Sequence, residues 1–132
     1  ANQVPTWGQV QAVAGISGSY TPTTSVITGA TGVIVGSHTY TKIGNIVTVY
    51  GESKPSSVVA AVGVVYEISL PIARANTVTK AIGFGGINVP GASINQHVRL
   101  ESSSTTTARI AFNVNAAGTP TLSYSFQYDI TQ

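Results

Sequence analysis

Between Thr121 and Ile130 the chain alternates without a slip, Leu122, Tyr124, Phe126, Tyr128 and Ile130 on one parity and Thr121, Ser123, Ser125, Gln127 and Asp129 on the other. A period of two sends successive side chains to opposite faces of a strand, so this segment predicts a strand with one core face and one wet face. The preceding segment repeats the rule, with Ile110, Phe112 and Val114 inward and Arg109, Asn113 and Asn115 outward, Ala111 being small enough for either side. Between them Ala116 to Pro120 reads as a compact hairpin loop. Upstream, Val98 and Leu100 alternate with His97, Arg99 and Glu101, and the hydroxyl run Ser102 to Thr107 joins that strand to the next.

The sharpest turn signal is Gly44-Asn45, set between two segments dense in Ile, Val, Thr and Tyr. Gly at the first loop position adopts the positive φ that a type II′ hairpin requires. The register follows: Ile43 faces Ile46, Lys42 faces Val47, Thr41 faces Thr48 and Tyr40 faces Val49. Further strands are expected near Ser19 to Thr28, Val62 to Leu70 and Val78 to Gly85, each bounded by Gly, Pro, Ser or Asn. No window shows a helical period with caps at both ends. The expected fold is therefore all-β, an antiparallel β-sandwich or jelly roll of about eight strands over residues 18–132. Residues 1–17, with Asn2, Pro5 and Trp7 and then mostly small side chains, fit no strand pattern and predict a short N-terminal arm.

Composition narrows the partners. At 132 residues the chain is of single-domain size. Only 8% of residues are charged, against the ordinary level of about a quarter. Solubility then rests on 17 Thr, 14 Ser and 7 Asn, a surface suited to a permanent assembly. The six cations, Lys42, Lys54, Arg74, Lys80, Arg99 and Arg109, are scattered against four carboxylates, giving a net charge of +2. Nucleic-acid binding needs clustered Lys and Arg to displace counterions from several phosphates, and no window supplies such a cluster. With no cysteine, disulfides and thiolate metal sites are excluded. No run approaches the roughly 20 apolar residues of a membrane-spanning helix, so membrane insertion is not expected.

Reactive side chains are few, and each has a bland explanation. Glu52, Glu67, Glu101 and Asp129 fall at outward or strand-end positions, where solvated surface charge is expected rather than a glycosidase pair. His38 and His97 lie 59 positions apart with no His-x-x-x-His spacing, so neither reads as a metal ligand. No Gly-x-Ser-x-Gly elbow positions a serine nucleophile. Gly83-Phe84-Gly85-Gly86 lacks the Lys-Ser/Thr of a phosphate loop and reads as a strand end or bulge. His97, Arg99 and Glu101 are expected on one outward stripe, a solvated face with room for a modest exposed ion pair between Arg99 and Glu101. The reading is of a non-enzymatic chain with no cofactor and no metal. Trp7, beside Pro5, either anchors the arm in a pocket on a partner or folds back on its own sandwich. Exposed Tyr, Ser and Thr also suit a sugar, rings stacking on a pyranose and hydroxyls bonding to it.

The stretch Tyr40-x-Lys42-Ile43-Gly44-Asn45-Ile46-Val47-Thr48-Val49-x-Gly51 resembles a signature of tailed-bacteriophage virion surface proteins, small capsid decoration proteins and the C-terminal β-sandwich domains of tail fibres. Ser19-Tyr20-Thr21-Pro22-Thr23, Ser69-Leu70-Pro71-Ile72-Ala73, Arg109-Ile110-Ala111-Phe112 and the Tyr124 to Ile130 strand resemble further family segments in the same order. The resemblance covers roughly residues 18 to 131. It implies an all-β, homo-oligomeric, for instance trimeric, module on the virion surface, and it carries over no catalytic residue. The function it favours is capsid decoration, the arm and a sandwich edge contacting the major capsid protein or other virion proteins. The alternative is a tail-fibre tip or accessory adhesin that holds a bacterial surface glycan.

Overall fold

The computed structural model describes residues 15–56, 63–77, 79–88, 97–100, 104–113 and 117–131. These form ten strands and no helix: β1 Ile16–Tyr20, β2 Thr24–Thr28, β3 Gly32–Val35, β4 His38–Ile43, β5 Ile46–Ser56, β6 Gly63–Ser69, β7 Lys80–Asn88, β8 His97–Leu100, β9 Thr107–Asn113 and β10 Thr121–Asp129. All pairings are antiparallel. The order β1-β4-β5-β10-β7-β8-β9-β6-β2 runs through one continuous ladder, with β3 added to the far end of β5.

That ladder folds over on itself as a β-sandwich. Val47 and Val49 of β5 and Leu122, Tyr124, Phe126 and Tyr128 of β10 share one core with Val64, Tyr66 and Ile68 of β6 and Ala108, Ile110 and Phe112 of β9. The alternation of β10 is realised in full, every even-numbered residue from Leu122 to Tyr128 being buried. Burying a side chain of this size contributes about 1.5–3 kcal/mol, which makes this cluster the main favourable term for the fold.

The hairpin has the expected register, Tyr40 to Ile43 facing Val49 to Ile46. Gly44 sits at φ 60°, in the left-handed region that an L side chain rarely enters.

Three boundaries differ from expectation. The single strand expected over Ser19 to Thr28 is two, β1 pairing with β4 and β2 with β6 at opposite ends of the ladder. Pro22, which is buried, cannot donate to a ladder and marks the break. The crossing is held by Thr23 N–H on Ser69 Oγ at 2.9 Å, Ser69 N–H on the Thr23 carbonyl at 2.9 Å and the Tyr20 hydroxyl on the Ser69 carbonyl at 3.1 Å. Secondly, Gly32–Val35 forms β3, a strand too short for its alternation to register. It extends β5 to Ser56, through Pro55, which lies beyond the last β5 residue paired with β10. Thirdly, β1 starts at Ile16, so Ile16 and Ser17 belong to the sheet rather than to the arm. Gly83 to Gly86 lie inside β7 and pair with β10, next to a register shift between Ala81 and Gly83 on the β8 side.

Candidate functional site: the outer face of β1-β4-β5-β10

Strand parity that puts Val47 and Val49 in the core sends Thr48 and Tyr50 outward, and the pairing then lines them up across four strands. One row reads Ser17, Thr41, Thr48, Gln127, and the next reads Ser19, Thr39, Tyr50, Ser125. Neighbouring strands in a sheet lie about 4.8 Å apart, so these rows make a regular grid of hydroxyl, amide and phenol groups. None of the eight is charged. Tyr50 stands 55% exposed at its centre, and Gln127 Nε2 donates to Thr48 Oγ1 at 3.1 Å across the strand pair.

Beside Tyr50 the face opens into a shallow recess of about 760 Å³, lined by Thr48 and Tyr50 of β5, Ser125 and Gln127 of β10, and Lys80 and Ile82 of β7. Charges frame the grid instead of occupying it. Lys80 and Asp129 flank one side, and Glu52 and Lys54, 3.9 Å apart, stand on the other. Beyond Asp129, Ile43 and Ile46 face each other across the hairpin and are both exposed. Such a surface presents hydrogen-bonding groups and one aromatic plate to a partner while asking little desolvation of charge.

The carboxylates have structural partners. Glu67 Oε1 accepts from Arg109 at 2.8 Å across the β6–β9 ladder. Asp129 accepts from both the hydroxyl and the N–H of Thr131, at 2.6 and 2.8 Å, and these bonds, aided by Lys80, hold its carboxyl below the usual range. Among the described residues, no group of three or more His, Asp or Glu is placed to hold a metal ion. Nor is any helix among them long and apolar enough to cross a membrane, which leaves β-barrels aside. Glu101, Pro5 and Trp7 lie outside the described residues, as do the side chains of His97 and Arg99 on β8. Gly44 and Asn45 form the turn assigned to them.

Two residues hold positions that sequence reasoning missed. His38, whose spacing gives no sign of a metal ligand, is completely buried. Its parity is that of Tyr40, and in the predicted hairpin register it falls opposite Gly51, whose missing side chain leaves room for the ring: a Cβ there would lie 2.0 Å from His38 Cδ2. Arg74, one of the scattered cations, is also buried, and burial lowers its proton affinity. Its N–H reaches the Thr105 carbonyl at 2.9 Å and its guanidinium the Ser104 carbonyl at 2.5 Å, docking the hydroxyl-rich loop against the chain after β6.

No protein-family model matches the chain, and a search of curated proteins finds no relative.

Proposed function

We propose that the chain is a non-enzymatic virion surface protein of the tailed-bacteriophage type, and that it decorates the capsid, binding and stabilising the outer shell through the outer face of β1-β4-β5-β10. The observation that carries this reading is the pair of uncharged rows, one through Thr48 and the next through Tyr50, a pre-ordered surface of hydroxyl, amide and phenol groups. The ordered family-like segments support it, as does a composition in which charge is scarce. Decoration is mechanical: a module touching neighbouring capsid subunits at several points gains avidity from simultaneous contacts. A homo-oligomer would multiply those contacts further.

The test is retention on purified capsids of the encoding phage. Tyr50→Ala and Thr48→Arg should each weaken retention at least tenfold while leaving the unfolding midpoint nearly unchanged. Deleting residues 1–14, which spares β1, measures the contribution of the arm with Pro5 and Trp7. Full retention by both substituted chains would sink the role of this face.

The recess beside Tyr50 favours a second reading, a receptor-binding module for a bacterial surface glycan. Tyr50 offers a plate for a pyranose ring, while Gln127, Thr48 and Lys80 offer donors around it. On this reading the isolated chain binds host cells or their purified surface polysaccharide without any capsid, and Tyr50→Ala abolishes that binding.

A further inference from the structure

Buried polar groups line the sandwich from β4 to β6, and the proton positions at the His38 ring are fixed by elimination. His38 Nδ1 lies 3.0 Å from the Gly36 carbonyl, which only accepts, so Nδ1 carries the proton and donates. In the neutral ring Nε2 is then the acceptor, and the Tyr124 hydroxyl, 2.5 Å away, must donate to it. Deeper in the core the Ser53 and Tyr66 hydroxyls are in close hydrogen-bonding contact, and Ser53 lowers the proton affinity of Tyr124. The two links at the ring point the same way: Tyr124 to His38, His38 to Gly36.

This arrangement has room for no additional proton. A doubly protonated imidazole would donate from Nε2 as well, so the buried Tyr124 hydroxyl would have to turn its own hydrogen away from the ring, and His38 is the one side chain found in hydrogen-bond geometry with that hydroxyl among the described residues. An unmet donor in that setting is costly, and a charged imidazole beside it more so. Among the described residues, the groups packed around the ring are Tyr20 of β1, its centroid 5.8 Å away, Tyr124 of β10 and the bare Gly51 of β5, with Tyr40 of β4 against Tyr20. None is an acid able to balance the charge. Burial accordingly lowers the proton affinity of His38, the Gly36 carbonyl offsetting this in part.

We propose that His38 and the Tyr124 hydroxyl bonded to it form an acid-sensitive latch on the sheet edge, protonation of His38 releasing β1 and β4 from the sandwich while β6, β9 and β10 stay paired. The edge is what gives way because, among the described residues, β1 pairs in the ladder with β4 alone and β4 otherwise pairs only with β5. Opening β4 carries His38 into water, where both ring nitrogens can donate freely. It also uncovers the β5 edge from Ile46 to Tyr50 and dismantles the two rows of the outer face, so binding through that face would be lost in acid.

The sign is set by a folded-state proton affinity below that of the unfolded chain. The latch is intact above the ordinary histidine value of 6.5, and its contribution is lost progressively as pH falls below it. Amide hydrogen exchange of the full chain between pH 6.8 and 5.2, corrected for intrinsic rates, lies above the carboxylate range and reads this directly. The opening equilibrium of β1 and β4 amides should rise about tenfold over that interval, the yield of one proton taken up on opening, with β6 and β9 unchanged. His38→Gln should flatten this dependence and His97→Gln should not. Should His38→Gln fail to fold, ring ¹⁵N shifts of the unsubstituted chain serve instead: His38 should stay in the neutral Nδ1–H form below pH 6.5. A His38 that titrates at the ordinary value without β1 and β4 opening, pH-independent exchange of those strands, or equal loss of protection in β6 and β9 would each overturn the latch.

Discussion

Tyr128 donates its hydroxyl to the Ile72 carbonyl at 2.7 Å and receives the Ile72 N–H at 3.3 Å, so one side chain of the last strand satisfies both backbone groups of a residue in the chain leaving β6. Tyr128→Phe keeps the ring, which stacks near Phe126, and removes only these bonds. The expected cost is about 1–3 kcal/mol, since a partly buried N–H and C=O lose their partner. Urea unfolding measures it, and a change below 0.5 kcal/mol, roughly the lower end for a single hydrogen bond, would show that water replaces the phenol.

Gly51→Ala tests the packing of His38. A methyl group there meets the imidazole well inside van der Waals contact, so the ring or the β4–β5 pairing has to shift. Overpacking of this kind costs about 1–3 kcal/mol. In a double-mutant cycle with His38→Ala the two changes should be markedly less than additive, because the smaller residue removes the clash. Strict additivity would mean that the strain is taken up elsewhere.

Alkaline titration should find phenols that resist ionisation. Burial pushes Tyr124 and Tyr128 up to about 12, and raises Tyr20 and Tyr66 further. The unfolded chain loses these protons near 10, so stability is full below pH 10 and falls as pH rises from there toward 12. Ultraviolet titration should therefore show a late group of tyrosines that ionises together with unfolding. Ionisation of all six near 10 in the folded chain would contradict their burial.

Asp129 gives the opposite case on the surface. Its carboxylate is held below the usual range first by the Thr131 hydroxyl, then by the Thr131 N–H and Lys80. Thr131→Ala removes the first contribution and should raise the carboxyl midpoint in a ¹³C titration, while the remaining bonds keep it from reaching the unfolded value. The associated stability is present above the unfolded value of 3.8 and is lost as pH falls through the folded one.

The Glu67–Arg109 pair spans β6 and β9 with both side chains about a quarter exposed. Glu67→Gln should cost only about 0.2–1 kcal/mol by thermal unfolding, the range of exposed pairs. A charge swap, Glu67→Arg with Arg109→Glu, should recover most of what Glu67→Arg alone loses.

Much of the fold was legible because strand alternation is a local rule. The backbone itself turns successive side chains to opposite faces, so Leu122 to Tyr128 declare their core face without reference to any other segment. The Gly44-Asn45 turn likewise fixes its own register. The outer-face rows were half legible: Tyr40 to Ile46 gave the β4–β5 pairs, but nothing local says that Gln127 and Ser125 would continue them.

What the sequence determined by itself was therefore the existence of the strands, their inward faces, the hairpin and the scarcity of charge. Tertiary structure decided which strands become neighbours, and with that the site. It sent the two halves of Ser19 to Thr28 to opposite edges, placed β10 between β5 and β7 to complete the rows beside Tyr50, and set the buried His38 ring against the Tyr124 hydroxyl. Each of these depends on residues tens of positions apart. Their pairing energy is spread over many weak contacts, and none of it appears until the chain has closed on itself.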